Sequence, residues 1–178
     1  IELIEALPAL LAEHPDAHLL LVNAVYSETV SAPVVSQIEA KIEQLGLSEQ
    51  VTCRFDFLPE EEIMLLLKSA DLVVYPYQQS NESSSAAVRM AISGRCLTAI
   101  TPLAIFADVE PGCIVLPGTT PAELSQGISD VLEQCDDENY RRQYLDGVER
   151  FAQDLSSEVL SKRLLGMVIG HHRRLEVH

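Results

Sequence analysis

The sequence predicts an α/β protein: a doubly wound parallel sheet flanked by helices, followed by C-terminal helices. Short apolar runs typical of strands covered on both faces alternate with helical segments through most of the chain. The connections between them are short, as expected of right-handed βαβ units. With 178 residues, 47% of them apolar, the chain has the size and composition of one globular domain.

The first half of the chain opens with apolar residues at helical spacing and then alternates strands with helices. Pro15 ends the first helix, and Gly46 supplies the stop for the second. Pro59 suits the start of a third helix because proline is tolerated at the first helical position, and the acidic residues after it complement the helix dipole. The predicted elements are helix 1–13, strand 18–23, helix 34–45, strand 51–55 and the helix that begins at Pro59.

The second half continues the same alternation and ends in helices. The run LVVY, closed by Pro76, predicts a strand, and a polar loop separates it from a helix that ends at Gly94. Thr120 and Pro121 mark the start of a later helix. The predicted elements are strand 72–75, helix 83–93, strand 97–100, strand 114–116 and helices 122–135, 138–154 and 157–170.

The first helix has no strand before it, whereas the first strand of a doubly wound sheet normally lies at its centre. The chain also begins with Ile1 rather than Met. We therefore expect a longer protein whose first strand lies upstream, with residues 1–154 forming a Rossmann-like domain and residues 155–178 a C-terminal helix and tail.

The composition excludes several classes of function. With 12 basic and 27 acidic residues, the net charge of −15 argues against a nucleic-acid partner, because phosphate backbones require a basic face. The chain lacks GxGxxG, GxxxxGK[ST] and GxSxG motifs, so neither a dinucleotide cofactor, a P-loop nor a nucleophile elbow is expected. No histidine falls in the predicted crevice, and we expect no metal site and no cofactor.

Four cysteines stand without a CxxC pair and are interpreted as structural thiols of a reducing compartment. This favours a cytoplasmic location.

Ligands of open α/β sheets bind beyond the carboxyl ends of the strands, and the richest loop there is YPYQQSNESSSAAVR. Ser83, Ser84 and Ser85 stand at a predicted helix start, where free backbone N–H groups and hydroxyls can hold a phosphate. A plain N-cap is the alternative reading of these serines. Ser80 and Asn81 precede them and are expected to line the same site.

Charged side chains complete this loop. Glu82 is expected to accept hydrogen bonds from sugar hydroxyls; a solvated glutamate that stabilises the helix N-terminus is the alternative. Arg89 can reach a phosphate or form a structural ion pair with a carboxylate such as Glu82.

Two further rims complete the crevice. Thr101 follows the fourth strand and faces the serine loop, either as a ligand contact or as part of a strand-to-helix turn. Phe57 and Leu58 follow the second strand and suit a planar base, with core packing as the alternative.

The stretch ADLVVYPYQQSNESSSAAVRMAISGRCLTAITP resembles the C-terminal half of a GT-B glycosyltransferase of the large retaining type called family four. That family has AD, an apolar strand, a proline, a loop with glutamate, EAMA and a second small apolar strand. Upstream, LIEALPALL, HLLLVN, LGLSEQV and FLPEEEIMLLLKSAD follow the family's order, and the resemblance covers most of the chain.

The resemblance implies that residues 1–154 bind a nucleotide-diphosphate sugar as donor, without metal, for a hexosyltransferase of polysaccharide biosynthesis. The acceptor, a glycan or lipid, would be bound by an N-terminal domain outside this chain. The basic residues that neutralise the donor diphosphate would also lie upstream, so we expect the chain alone to bind donor weakly and to transfer nothing.

The sequence departs from the family at its two glutamates. Val88 stands where the second, ribose-binding glutamate belongs, and Ser80 where the first belongs, with Glu82 two residues later. Glu82 is expected to replace the first glutamate in a shortened loop. The alternative is a non-catalytic Rossmann-like module that retains the fold for protein interaction.

The basic C-terminal segment SKRLLGMVIGHHRRL combines arginine and lysine with an apolar stripe. Packing against the N-terminal domain, as in GT-B proteins, is the favoured interpretation. A peripheral contact with anionic lipid at the inner face of the membrane is the alternative.

Overall fold

The structure is a computed structural model that describes residues 1–27, 29–80, 82–154, 156, 158–162 and 164–165. It is an α/β fold with short parallel strands between helices, as predicted. The elements are α1 Glu2–Glu13, β1 Leu19–Val22, α2 Ser31–Gln44, β2 Val51–Arg54, α3 Glu60–Ser69, β3 Val73–Tyr75, α4 Ala86–Ser93, β4 Thr98–Ile100, β5 Ile114–Val115, α5 Pro121–Cys135 and α6 Glu138–Asp154. Two 3₁₀ turns, Ala104–Phe106 and Glu110–Gly112, lie between β4 and β5.

The predicted order of elements is confirmed up to α6, and most boundaries shift by only a few residues. One shift affects the candidate site: α4 begins at Ala86, not at residue 83, so the three serines precede the helix. The predicted helix 157–170 and the tail up to residue 178 fall largely outside the described residues.

The described strands form two parallel sheets rather than one. β1 pairs with β2, Leu19 facing Val51, and β4 lies between β3 and β5. These orders match a doubly wound sheet in which the position between β1 and β3 carries no strand among the described residues.

Burial differs between the strands. β4 is completely buried, whereas β1 and β3 are equally apolar but only partly covered. α3, which connects β2 to β3, buries none of its residues. That the first strand lies upstream of Ile1 stays a prediction.

Two hydrophobic clusters hold the fold together. In the α1–α5 cluster, α1 packs against α5 and the strands, and in the α4–α6 cluster, α4 and the 3₁₀ turns pack against α6. Each fully buried aliphatic or aromatic side chain stabilises the fold by roughly 1.5–3 kcal/mol. The α1–α5 cluster comprises Ile4, Ala6, Leu7, Leu10, Ile38, Ile42, Leu47, Val51, Ala99, Leu116, Leu124 and Ile128. The α4–α6 cluster comprises Val88, Ile92, Ile100, Ile105, Phe106, Val109 and Val148.

At the end of α4, the left-handed backbone conformation lies one residue after the glycine. The left-handed conformation, φ 57°, belongs to Arg95, while Gly94 has an ordinary helical φ of −74°. A Cβ at residue 94 would lie 2.8 Å from Met64 Sδ and 3.2 Å from Cys96 Sγ. The side chains of Met64 and Cys96 therefore leave little room for a Cβ at residue 94, whereas its backbone angles would allow one.

None of the helices in the described part of the chain is long and apolar enough to cross a membrane.

Two glycines within helices allow the effect of helix propensity on stability to be distinguished from the effect of packing. A Cβ at Gly127 on α5 would lie 2.5 Å from Pro117 Cδ and 2.9 Å from Leu116 Cδ2, whereas a Cβ at Gly147 on α6 meets open space. We expect Gly147→Ala to raise the free energy of unfolding by up to about 1 kcal/mol, since alanine is the better helix former. Gly127→Ala should lower it by about 1–3 kcal/mol through overpacking. Urea denaturation of both variants measures the difference, and equal stabilisation of the two would contradict the packing of α5 against Leu116 and Pro117.

Candidate functional site

The candidate site lies where the chain leaves β3 and β4 at their carboxyl ends. Thr101 ties these two exits together: it is completely buried, its hydroxyl donates to the Tyr77 carbonyl at 2.7 Å, and its N–H donates to the Tyr75 carbonyl at 3.4 Å. Because the hydroxyl is committed to backbone, the structure places Thr101 under the site as a support for the loop.

The three serines occupy three different environments. Ser85 is buried and is the N-cap of α4, accepting from the Val88 N–H at 3.4 Å. Ser83 is exposed, and Ser84 is half-buried with its hydroxyl beside a charged pair. Ser80 accepts from the Glu82 N–H at 3.1 Å and thereby shapes the loop. The N-cap interpretation therefore applies to Ser85, while Ser84 is the serine that faces charged side chains.

Arg89 forms its ion pair with Asp108, not with Glu82. Its Nε also donates to Ser84 Oγ at 3.1 Å, and Ser84 Oγ lies 3.5 Å from Asp108 Oδ2. Asp108 lies in the loop after β4 and was not among the residues predicted for the site. The stretch FADVE offered one signal, a carboxylate between Ala107 and Val109, but nothing in the stretch indicates which cation that carboxylate meets.

Glu82 is an exposed residue of the loop between β3 and α4. Asn81, predicted beside it, lies outside the described residues. The structure thus leaves Glu82 available to a ligand.

Val88 points into the α4–α6 cluster and is completely buried. A glutamate at this place would lose its hydration among aliphatic side chains. The position of the family's second glutamate therefore serves the core in this chain.

The loop after β2 carries an exposed aromatic ring. Phe57 is 73% exposed, which excludes core packing as its explanation, and Leu58 is half-buried beside it. Arg54 braces this loop, donating to both Asp56 carboxylate oxygens at 3.0 Å and to Glu62 at 3.1 Å. The guanidinium lowers the pKa of Asp56 below its usual range. Among the residues that the structure describes, no hydrogen bond joins this rim to the serine loop.

Two tyrosines that the sequence did not single out hold the serine loop. Tyr75 donates its hydroxyl to the Ala87 carbonyl at 2.8 Å, and Tyr77 lies 3.4 Å from Ser85 Oγ. The Tyr77 ring packs against Phe106 with 5.1 Å between centroids. Alternation along the strand end, Tyr-Pro-Tyr, was the available signal. Both aromatic residues anchor the loop from below.

The described part of the chain contains no group of three or more histidine, cysteine, aspartate or glutamate residues that could hold a metal ion. All four thiols are free, and burial raises the pKa of Cys113 to about 12. A thiol with that pKa is almost entirely protonated near pH 7 and is a poor nucleophile.

Comparison with solved structures identifies the fold. Sucrose-phosphate synthase from Thermosynechococcus elongatus superposes with a TM-score of 0.73 at 18% identity, covering 99% of this chain and 43% of that one. HepE from Anabaena, solved in complex with UDP, gives 0.70 at 18% identity, covering 95% and 44%. The C-terminal domain of the group 1 glycosyl transferase LpcC from Francisella tularensis gives 0.65 at 18%, covering 86% and 77%.

These likenesses confirm the resemblance at the level of the fold, which is that of one half of a GT-B glycosyltransferase. The chain spans less than half the length of the sucrose-phosphate synthase and HepE structures. No family model matches the sequence, and no curated protein is significantly similar to it.

The different environments of the serines predict different effects on stability. We expect Ser85→Ala to lower the free energy of unfolding by about 1 kcal/mol, because it removes the N-cap of α4. Ser83→Ala, the matched control on an exposed residue, should stay within about 0.5 kcal/mol of the parent chain. Thermal denaturation of both variants decides the matter, and equal effects would show that Ser85 does not cap the helix.

Proposed function

We propose that this chain is the donor-binding half of a glycosyltransferase that uses a nucleotide-diphosphate sugar. One observation carries the proposal: Ser84 Oγ and the Arg89 guanidinium meet 3.1 Å apart in front of α4, at the carboxyl ends of β3 and β4. Two side-chain donors stand there beside the backbone N–H groups of a helix N-terminus, an arrangement suited to phosphate oxygens.

The shared fold supports this proposal. HepE, similar in fold over 95% of this chain, was solved with UDP bound. Ligands of doubly wound sheets bind at the strand ends where Ser84 and Arg89 lie. UDP and GDP sugars are therefore the first ligands to test.

The proposed chemistry needs charge stabilisation on the leaving group. When the bond between the anomeric carbon and the diphosphate breaks, the electron pair departs with the diphosphate, and Arg89, Ser84 and the N-terminus of α4 would stabilise the developing negative charge. Glu82 would accept hydrogen bonds from the sugar hydroxyls, and Phe57 with Leu58 would contact the base.

The whole protein is proposed to supply what this half lacks. Because its net charge is −15, the chain is expected to bind a diphosphate weakly unless cationic residues from outside the chain contribute to the site. We place these cations upstream, together with an N-terminal domain that binds a glycan or lipid acceptor for polysaccharide synthesis. Residues 155–178 would contact that domain or, as the second choice, an anionic membrane surface on the cytoplasmic side.

A second candidate function is a non-catalytic interaction module that retains the fold. The observation that favours it is Val88, which is buried in the core where the family carries its second glutamate. A module of this kind is not expected to bind nucleotide sugars.

Calorimetric titration of UDP, GDP and their hexose conjugates into the intact protein separates the two functions. We expect one nucleotide and its sugar conjugate to bind. Glu82→Ala should weaken binding of the conjugate about tenfold or more, because a charge-assisted hydrogen bond contributes roughly 1.5–3 kcal/mol, and should leave the free nucleotide unaffected.

Glu133→Ala, which removes an exposed carboxylate from α5, serves as the matched control and should change neither affinity. If no nucleotide or conjugate binds, the interaction module is the correct reading. Sugar transfer by residues 1–178 alone would contradict the proposed division of labour with an upstream domain.

A further inference from the structure

The carboxylate of Asp108 occupies the position beside Arg89 and Ser84 that the proposed function assigns to a phosphate oxygen of the ligand. It accepts from the Arg89 guanidinium in an ion pair, and its Oδ2 lies 3.5 Å from Ser84 Oγ, which itself accepts from Arg89 Nε at 3.1 Å. The two side-chain donors in front of α4 are thus both directed at one carboxylate oxygen.

We propose that Asp108 is an internal competitor of the donor diphosphate: it holds Arg89 and Ser84 in the free protein, and a phosphate oxygen displaces it when the nucleotide binds. This inference rests on the proposed function. A carboxylate and a phosphate offer the same kind of acceptor to a guanidinium and a hydroxyl, so each can take the other's place.

The backbones on both sides of the pair are firmly anchored. Asp108 lies between Phe106 and Val109, and Arg89 directly follows Val88; all three apolar neighbours are buried in the α4–α6 cluster. The side chains of Arg89 and Asp108 are each 41% exposed. The pair can therefore separate by side-chain rotation alone, within a fixed scaffold.

The strength of the pair sets the size of the effect. A solvent-exposed ion pair contributes at most about 1 kcal/mol, so competition by Asp108 should weaken nucleotide binding by roughly two- to fivefold. Asp108 does not block the site. It raises the ligand concentration at which a phosphate binds Arg89.

The experiment is a double-mutant cycle on the intact protein, with UDP, GDP and inorganic pyrophosphate as probes. Asp108→Asn keeps the shape of the side chain and removes its charge. We expect it to tighten binding of the nucleotide that the parent protein binds, and of pyrophosphate, by roughly two- to fivefold. In an Arg89→Gln background the same substitution should hardly change the affinity, because the guanidinium for which Asp108 and the phosphate compete is absent.

Glu110→Gln is the matched control, since it removes an exposed carboxylate two residues away on the same segment. It reports the gain that any lost negative charge produces, and Asp108→Asn must exceed it. A second readout follows Arg89 directly: the NMR signal of its Nε–H should shift when pyrophosphate is added, and at lower pyrophosphate concentrations in Asp108→Asn.

Three results would overturn the inference: a gain no larger than that of Glu110→Gln, a gain that survives in the Arg89→Gln background, or weaker binding in Asp108→Asn. Failure of the proposed function has a different signature. If pyrophosphate shifts the Arg89 signal but neither UDP nor GDP binds, the competition by Asp108 is supported and the nucleotide-sugar donor is refuted. If pyrophosphate also leaves the Arg89 signal unshifted, both the competition and the donor are refuted.

Discussion

The complete burial of β4 is the constraint on which the rest of the structure depends. β4 pairs with β3 on one edge and β5 on the other, and its side chains serve both cores: Ala99 belongs to the α1–α5 cluster and Ile100 to the α4–α6 cluster. A strand covered on both faces and paired on both edges has no freedom to shift register. The loops that leave β3 and β4 therefore start from fixed points, and Thr101 extends this rigidity one residue further by binding the Tyr77 carbonyl.

The candidate site is built from parts that no single segment contains. Ser84 comes from the loop after β3, Arg89 from α4 and Asp108 from the loop after β4. Their meeting depends on the packing of α4 against the 3₁₀ turns, through the α4–α6 cluster. In a chain with a net charge of −15, the Asp108 carboxylate pairs with Arg89. In the proposed function, this pair lasts until a phosphate oxygen displaces the carboxylate.

Val88 and Glu82 differ in their environment. Val88 is completely buried and contributes to the core, where a glutamate would lose its hydration. Glu82, by contrast, is exposed in the loop between β3 and α4. The cover of β1 and β3 is incomplete: their apolar side chains are suited to a continuous sheet, and the described chain covers only part of them.

By itself, the sequence determined the fold class, the order of strands and helices up to α6, and the loop that carries the candidate site. These follow from local signals: apolar periodicity, prolines, the Thr120 cap and a serine run. Only the tertiary structure decided that Ser85 caps the helix, that Phe57 is exposed, and that Arg89 meets Asp108 rather than Glu82. Arg89 and Asp108 lie 19 positions apart. Sequence spacing predicts partners within a helix or along a strand, where geometry is regular. A contact between a helix and a distant loop depends on how the core beneath them packs.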